Sequence, residues 1–493
     1  ANKPDGSRII HVPKDFNDIQ EAIDASRHGD YISISSGQYV LHQPLLLNKE
    51  IHLVGDEDGA SDGVVLTLER SSKTLMNPDV HILTVAAPSA RISRICFSHH
   101  ETVKAGRQPS PPKDLLFCLF LKEGNILVDN CTFSSTFASA IGVAGECRPT
   151  VSLSRISAAE YGVFACARST TRLKNNTFTK CQTGVYFDEK ALGAAEENHV
   201  VECNCGIEMT ASACPTLERN VVTGCTEVGV YVSSGNPAAP KMLIRGNQIT
   251  GNAVGVQIEQ CGNPILEKNT VEQNTEAGVR ITANGAGEFL LNEIADNAIG
   301  VIMDRGSSAK FTKNAVRDNA RYGVLVQGQG TFGLLNDNDV AGGAYGVSVS
   351  DGAAPSVLQN RVSGTRECAV LLNCAGAAKV NENEIFDNAG DAVQVTQCAV
   401  QVQQNTISKN EGKGVWAQGC DGGLYTDNVI THNGSAGMQV SQSQGLQIED
   451  NRLMQNEQEG LLVHNNSRVR VGENVVAENG THNIYHTNDS LIE

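Results

Sequence analysis

The sequence predicts an all-β fold, a single-stranded right-handed parallel β-helix with a helix capping its N-terminal end. Three observations carry this prediction. Gly recurs every 22 or 23 residues, at Gly162, Gly184, Gly206 and Gly229, then from Gly255 to Gly346 and from Gly414 to Gly460. Ala369 and Ala392 fill the same slot between those runs, and a single step, from 229 to 255, spans 26 residues. Asn keeps the same beat from Asn176 to Asn474, and a further Asn five residues on repeats from Asn252 to Asn479. After each Gly the first and third residues are apolar, as in Val163, Val185, Ile207, Val230 and Val256, while the second and fourth are mixed. A fixed period of this size denotes stacked repeats, and alternation denotes strands with one buried face. Leucine-rich repeats share the length, but their Leu-x-x-Leu-x-Leu frame is missing. Asn suits the bends because its side chain bonds to nearby backbone and tolerates a left-handed conformation. Stacked Asn side chains can also bond rung to rung.

The elements follow in order within one expected domain, residues 1–493. "PKDFNDIQEAIDASRHGD", residues 13–30, sets Phe16, Ile19 and Ile23 on one helical face. Asn17 with Gln20 resembles a capping box and Gly29 is a stop, so a short helix is expected to cover the open end of the first coil. Residues 31–160 read as irregular coils, with strands at "YISISSGQYV", "IHLVG", "VVLTLE" and "HILTV". "SHHETVKAGRQPSPPKD", residues 98–114, carries Pro and charge without pattern and reads as a loop. Residues 161–480 are the regular coils, with a small turn insertion at 233–241, and residues 481–493 read as a C-terminal tail.

Composition narrows the setting. Aromatics make up only 5% of the chain, so Val, Ile, Leu and Ala fill a narrow interior. A formal charge of -17 without a basic stripe argues against nucleic acid as a partner. No apolar run approaches a membrane span and no signal peptide stands at the start, so no membrane contact is expected. The 15 cysteines are odd in number, and Cys181, Cys203 and Cys225 stack in the slot that Asn takes from residue 252 onward. Cys398 and Cys420 form another stack. Stacked side chains have parallel Cβ vectors, which suit disulfides poorly. Reduced thiols in the cytoplasm are therefore expected. Cys203 and Cys205 alternate across a strand without the spacing of a zinc site, so neither a metal nor a cofactor is expected.

"GVQIEQCGNPILEKNTVEQNTEAGV", "GVWAQGCDGGLYTDNVITHNGSAGM" and "GVSVSDGAAPSVLQNRVSG" resemble the carbohydrate-binding-and-sugar-hydrolase, or parallel β-helix, repeats. "FNDIQEAIDASRHGDYISISSGQYV" looks like the opening of pectin-lyase-like folds. The dense Gly-Val and Asn-x-Ile beat looks closest to intracellular F-box-only receptors and to the Shc-binding spindle protein, although no F-box-like bundle is present. The resemblance implies the fold. It leaves activity open, because the scaffold hosts both polysaccharide enzymes and non-enzymatic proteins.

Polysaccharide chemistry on this fold would sit on the outer face of the first sheet, at the second and fourth positions after each Gly. Carboxylates there are Asp188, Glu208, Glu259 and Asp304, and Glu259, Arg280 and Asp304 stand on successive rungs as an acid-cation-acid set. The lyase, polygalacturonase and epimerase signature stretches are absent. The second-position series also holds Tyr186, Tyr231, Arg280, Ile302, Leu325, Leu371 and Trp416, a stripe expected to bind a partner. The leading expectation is thus a non-catalytic intracellular protein-interaction scaffold, whose protein partner lies on the outer face of the first sheet. The alternative is a polysaccharide-binding or polysaccharide-degrading protein, with aromatics stacked on sugar rings.

Overall fold

A computed structural model describes residues 7–56, 63–69, 81–99, 116–158 and 160–493. The chain divides into two compact units, residues 1–248 and 249–493, where one domain was expected. Each unit is an all-β parallel solenoid.

In the first unit a regular rung holds three short strands, such as Thr183–Phe187, Leu192–Glu196 and His199–Val201. Each pairs in parallel with its counterpart one repeat later, Val185 opposite Ile207, Ala195 opposite Leu217 and Val200 opposite Val222. The second unit repeats the plan with Ala277–Ile281, Ala286–Leu290 and Glu293–Ala295, where Val279 faces Val301, Phe289 faces Phe311 and Ile294 faces Val316. The period of the sequence is therefore the length of one rung. Residues one and three places after each Gly point inward and are almost wholly buried, each worth about 1.5–3 kcal/mol relative to exposure. Aromatics join the interior as stacks, as in Phe289 on Phe311 with ring centres 4.2 Å apart.

The Gly beat is a packing constraint. A Cβ at Gly184 would stand 2.6 Å from the carbonyl oxygen of Gly206 and 2.8 Å from Val200. At Gly278 it would stand 2.7 Å from the Asn297 amide. At these rungs the missing side chain lets the first strand pass this close to the bend of the next rung, whereas Ala369 and Ala392 carry a methyl in the same slot.

The Asn ladders are buried and bonded rung to rung. In the first unit Asn198 donates its backbone N–H and its Nδ2 to the same oxygen, Oδ1 of Asn220, each at 3.0 Å, and Nδ2 also donates to Leu173 O at 3.0 Å. In the second unit Asn274, Asn297 and Asn319 repeat this geometry at the other bend, and the row of Asn388, Asn410, Asn433 and Asn456 does so further on. The left-handed residue of each bend is not the Asn, contrary to expectation. It is the residue before it, such as Glu197, Lys268, Gln273 and Asp296. Asn is selected by its amide: it satisfies backbone groups that the bend removes from the sheet.

Other boundaries shift. The N-terminal helix is shorter than expected, Ile19–Ala25, and its cap is Asp18, which accepts from Glu21 N at 3.0 Å. The Asp carboxylate lies one residue nearer the first turn than Asn17 and takes its place. Ile19, Ala22 and Ile23 are the buried face. The strand runs appear at Tyr31–Ile34, Gly37–Leu41, His52–Gly55, Val64–Leu68 and Leu83–Ser93. Residues 233–241 hold an inserted turn between Val228–Ser233 and Leu243–Arg245. The loop expected at 98–114 lies almost entirely outside the described residues. At the other end Ile484–His486 and Leu491–Ile492 add a further parallel rung where a tail was expected.

Asn297→Ala removes both donors from Val271 O and Asn319 Oδ1 and deprives Asn274 of its acceptor. The variant should lose about 2–4 kcal/mol in chemical unfolding, since several buried polar groups are left unmet.

Candidate functional site

The outer face of the first sheet in the first unit gathers aromatics and carboxylates on adjoining rungs. Tyr161–Ala165, Thr183–Phe187, Cys205–Met209 and Val228–Ser233 are consecutive, with Phe164 opposite Tyr186, Tyr186 opposite Glu208, and Glu208 opposite Tyr231. Tyr161, the residue before Gly162, also faces outward. Tyr161 therefore stacks on Tyr186 at 5.3 Å between ring centres, with planes 16° apart, and Phe164 meets both rings at 5.3 Å. One rung earlier Gly142 lies between Phe120 and Phe164. A Cβ there would stand 2.7 Å from the Phe117 ring. The ring occupies that gap, stacked on Phe120 at 5.5 Å and 6.2 Å from Phe164, and joins the aromatics into one shelf. Phe117 is buried, whereas Phe120, Tyr161, Phe164 and Tyr186 keep part of their surface in solvent.

Carboxylates border the shelf. Asp188 accepts from Thr210 Oγ1 at 2.7 Å, and that hydroxyl oxygen lies 2.9 Å from the Tyr186 phenol. Because Thr210 spends its proton on Asp188, Tyr186 donates to Thr210, and the relay runs from phenol to carboxylate. Glu208 lies within 3.4 Å of the Thr183 hydroxyl. Burial pushes the Glu208 carboxyl above the usual range, and the negative charges of Asp188 and Glu227 add to it. Burial likewise raises Glu160, and it pushes the Tyr186 phenol up to about 12. The arrangement offers partly exposed aromatic surface, one carboxyl whose proton affinity burial raises, and a second carboxyl held by the Thr210 hydroxyl. Among the described residues no three His, Cys, Asp or Glu side chains are grouped to hold a metal ion.

The other sequence-selected residues lie apart from this set. Glu259 accepts from Gln257 at 3.1 Å. Arg280 stands opposite Gln257 and Ile302, not opposite either acid, and Asp304 is 7% exposed. The acid-cation-acid set is thus staggered between two columns. Ile302 is 8% exposed and packs with Ala277 and Ile299 beneath Tyr322 and Leu325. Leu371 is half-buried, and Trp416 carries Lys413 over its ring at 4.5 Å. Sequence reasoning missed Tyr161, Glu160 and Thr183. They stand one or two places before the Gly, a column not read as outward.

The family described as "Right handed beta helix region" matches residues 117–241, 238–373 and 368–493. The chain belongs to the right-handed β-helix family. No curated protein shows significant sequence similarity to this β-helix protein. Among solved structures it is similar to the A-module of the mannuronan C-5 epimerase AlgE6 of Azotobacter vinelandii, with 17% identity, a TM-score of 0.41, and coverage of 73% of this chain and 94% of that one. It is also similar to the catalytic unit of a GH87 α-1,3-glucanase from Streptomyces thermodiastaticus, with 14% identity, a TM-score of 0.35, and coverage of 76% and 66%. The Vag8–C1 inhibitor complex aligns at 14% identity and a TM-score of 0.43, over 94% and 100%. At these identities the likeness concerns the coil architecture and assigns no activity.

These findings correct the leading expectation of a non-catalytic intracellular scaffold. The similar structures are mostly those of polysaccharide-active β-helix proteins, and the likeness to F-box-only receptors and the Shc-binding spindle protein finds no support. A physical reason accompanies the correction. The expected apolar stripe is not a continuous exposed surface in the second unit, because Ile302 is covered and Trp416 lies beneath a lysine. Among the described residues no helix is long and apolar enough to cross a membrane.

Glu208 holds its proton more tightly in the native state than in the unfolded chain, so its ionisation opposes folding. That stability is present below the unfolded carboxyl range and lost as pH rises through the raised value. Glu208→Gln should therefore raise the thermal midpoint relative to the parent near pH 7 and leave it almost level at about pH 3.5, below the usual range of about 4.3. A difference independent of pH would deny the shift.

Proposed function

We propose that this β-helix protein binds a polysaccharide along the outer face of its first sheet, over the rungs of Gly162 to Gly229, and hydrolyses it there. The observation that carries the reading is the partly exposed aromatic shelf of Phe120, Phe164, Tyr161 and Tyr186 set directly against Asp188 and Glu208. Pyranose rings present apolar C–H faces that pack on aromatic rings, while their hydroxyls bond to neighbouring polar groups. Tyr186 and Tyr231 thereby serve in binding. Glu208, whose proton affinity burial raises, donates its proton to the glycosidic oxygen, and Asp188, held by Thr210, takes the proton of the attacking water. The bond between sugars breaks and the elements of water are added across it. The stacking of Cys181 with Cys203 and of Cys398 with Cys420, whose parallel Cβ vectors suit disulfides poorly, supports the cytoplasm as the place of action.

Reducing-sugar release from a panel of polysaccharides tests the reading. Glu208→Gln should lower the rate by about a hundredfold or more and leave binding in place, whereas Phe164→Ala should weaken binding by about tenfold. Hydrolysis that survives Glu208→Gln would remove the assigned acid. In a separate measurement, mass spectrometry without reductant should find the thiols of protein from the cell unpaired.

A further inference from the structure

The same face differs from rung to rung in a way that selects among glycans. This inference rests on the reading of the aromatic shelf as a glycan site. Four consecutive rungs bring carboxylates to the neighbourhood of the shelf, in different columns: Glu160 and Glu227 two places before Gly162 and Gly229, Asp188 four places after Gly184, and Glu208 two places after Gly206. Rungs are about 4.8 Å apart, close to the advance of one sugar ring along an extended chain. Among the described residues none of the four carboxylates forms an ion pair, although such pairs are frequent elsewhere on the coil, as between Arg219 and Glu197 or Arg317 and Asp339. Lys122, an exposed side chain, stands 5.7 Å from the ring centre of Phe120, at the end of the shelf away from Glu208. An ionised uronate chain would set like charges against these carboxylates.

We propose that the site takes a polymer of amino sugars, with sugar rings on the Phe164, Tyr161 and Tyr186 shelf and protonated amines facing Glu160, Asp188 and Glu227. Glu160 and Glu227 are the specificity-determining residues in this arrangement, since they border the shelf outside the Asp188–Glu208 pair. The chain's formal charge of -17 favours the same class of ligand during encounter.

The test is calorimetric titration of the full chain, with Glu208→Gln in every protein so that no bond is cut. The ligands are β-1,4-linked glucosamine oligomers, their N-acetylated counterparts and galacturonate oligomers. Glucosamine oligomers should bind about tenfold or more tightly than either other class, and added salt should erode the preference. Glu160→Gln combined with Glu227→Gln should lower glucosamine affinity about three- to tenfold and leave N-acetylated binding unchanged. Equal binding of charged and neutral oligomers, insensitive to salt, overturns the amino-sugar inference and leaves the glycan site standing. Tighter binding of galacturonate also overturns it. Binding of none of the three classes, with Phe164→Ala inert, removes the glycan site and this inference with it.

Discussion

The regular coils from Asn176 onward turn sharply at their bends while remaining buried, and the amide ladder is what allows it. A bend takes backbone donors and acceptors out of the sheet, and a buried unpaired group costs about 1–3 kcal/mol. Asn meets that demand with one side chain. Its oxygen accepts from the backbone and side chain of the rung before, as Asn220 does for Asn198, and its nitrogen reaches an inner-strand carbonyl. The rung spacing, the 22-residue period and the Gly beat are all tied to this clamp. Gly278 is empty of side chain because the Asn297 amide lies where its Cβ would be.

Because the ladder fixes register, side chains on the outer face align in columns, and residues far apart in sequence become neighbours. The shelf uses that property. Tyr161 and Tyr186 are separated by a full repeat yet stack at 5.3 Å. Gly142 shows how a single absent side chain extends the surface, since the ring of Phe117 occupies its space. A parallel solenoid repeats the backbone and leaves each outward position free to vary, so a site arises wherever a few columns hold the right groups.

The fold was legible because its determinants repeat. Inward Val and Ile recur with period two, Asn and Gly recur with the rung, and each repetition reinforces the others. The site was only partly legible. Tyr186, Asp188 and Glu208 stood in the columns read as outward, but Tyr161 and Glu160 lie before the Gly, where the alternation does not predict orientation. Ile302 shows the opposite case. It occupies an outward column, yet Tyr322 and Leu325 from the next rung fold over it, and no pattern along one strand reveals a cover supplied by another.

The rungs that hold the shelf are also those where the second ladder is not made of Asn. Cys181, Cys203 and Cys225 occupy that bend, and the thiols of the first two reach carbonyls two residues back at long range, Cys181 to Thr179 O at 3.6 Å and Cys203 to Val201 O at 3.7 Å. Burial pushes the Cys225 thiol up to about 12, so it stays neutral and offers one poor donor where Asn offers two good ones. The first ladder, Asn176 to Asn247, must hold these coils without the second clamp present from Asn252 to Asn319. Proteins place ligand-handling segments at the less stable end of their structure. Here the substitution stands at the bend that leads into the shelf strands, Cys181 just before Thr183–Phe187 and Cys203 just before Cys205–Met209, so the first ladder and the sheet pairing carry the register of that face.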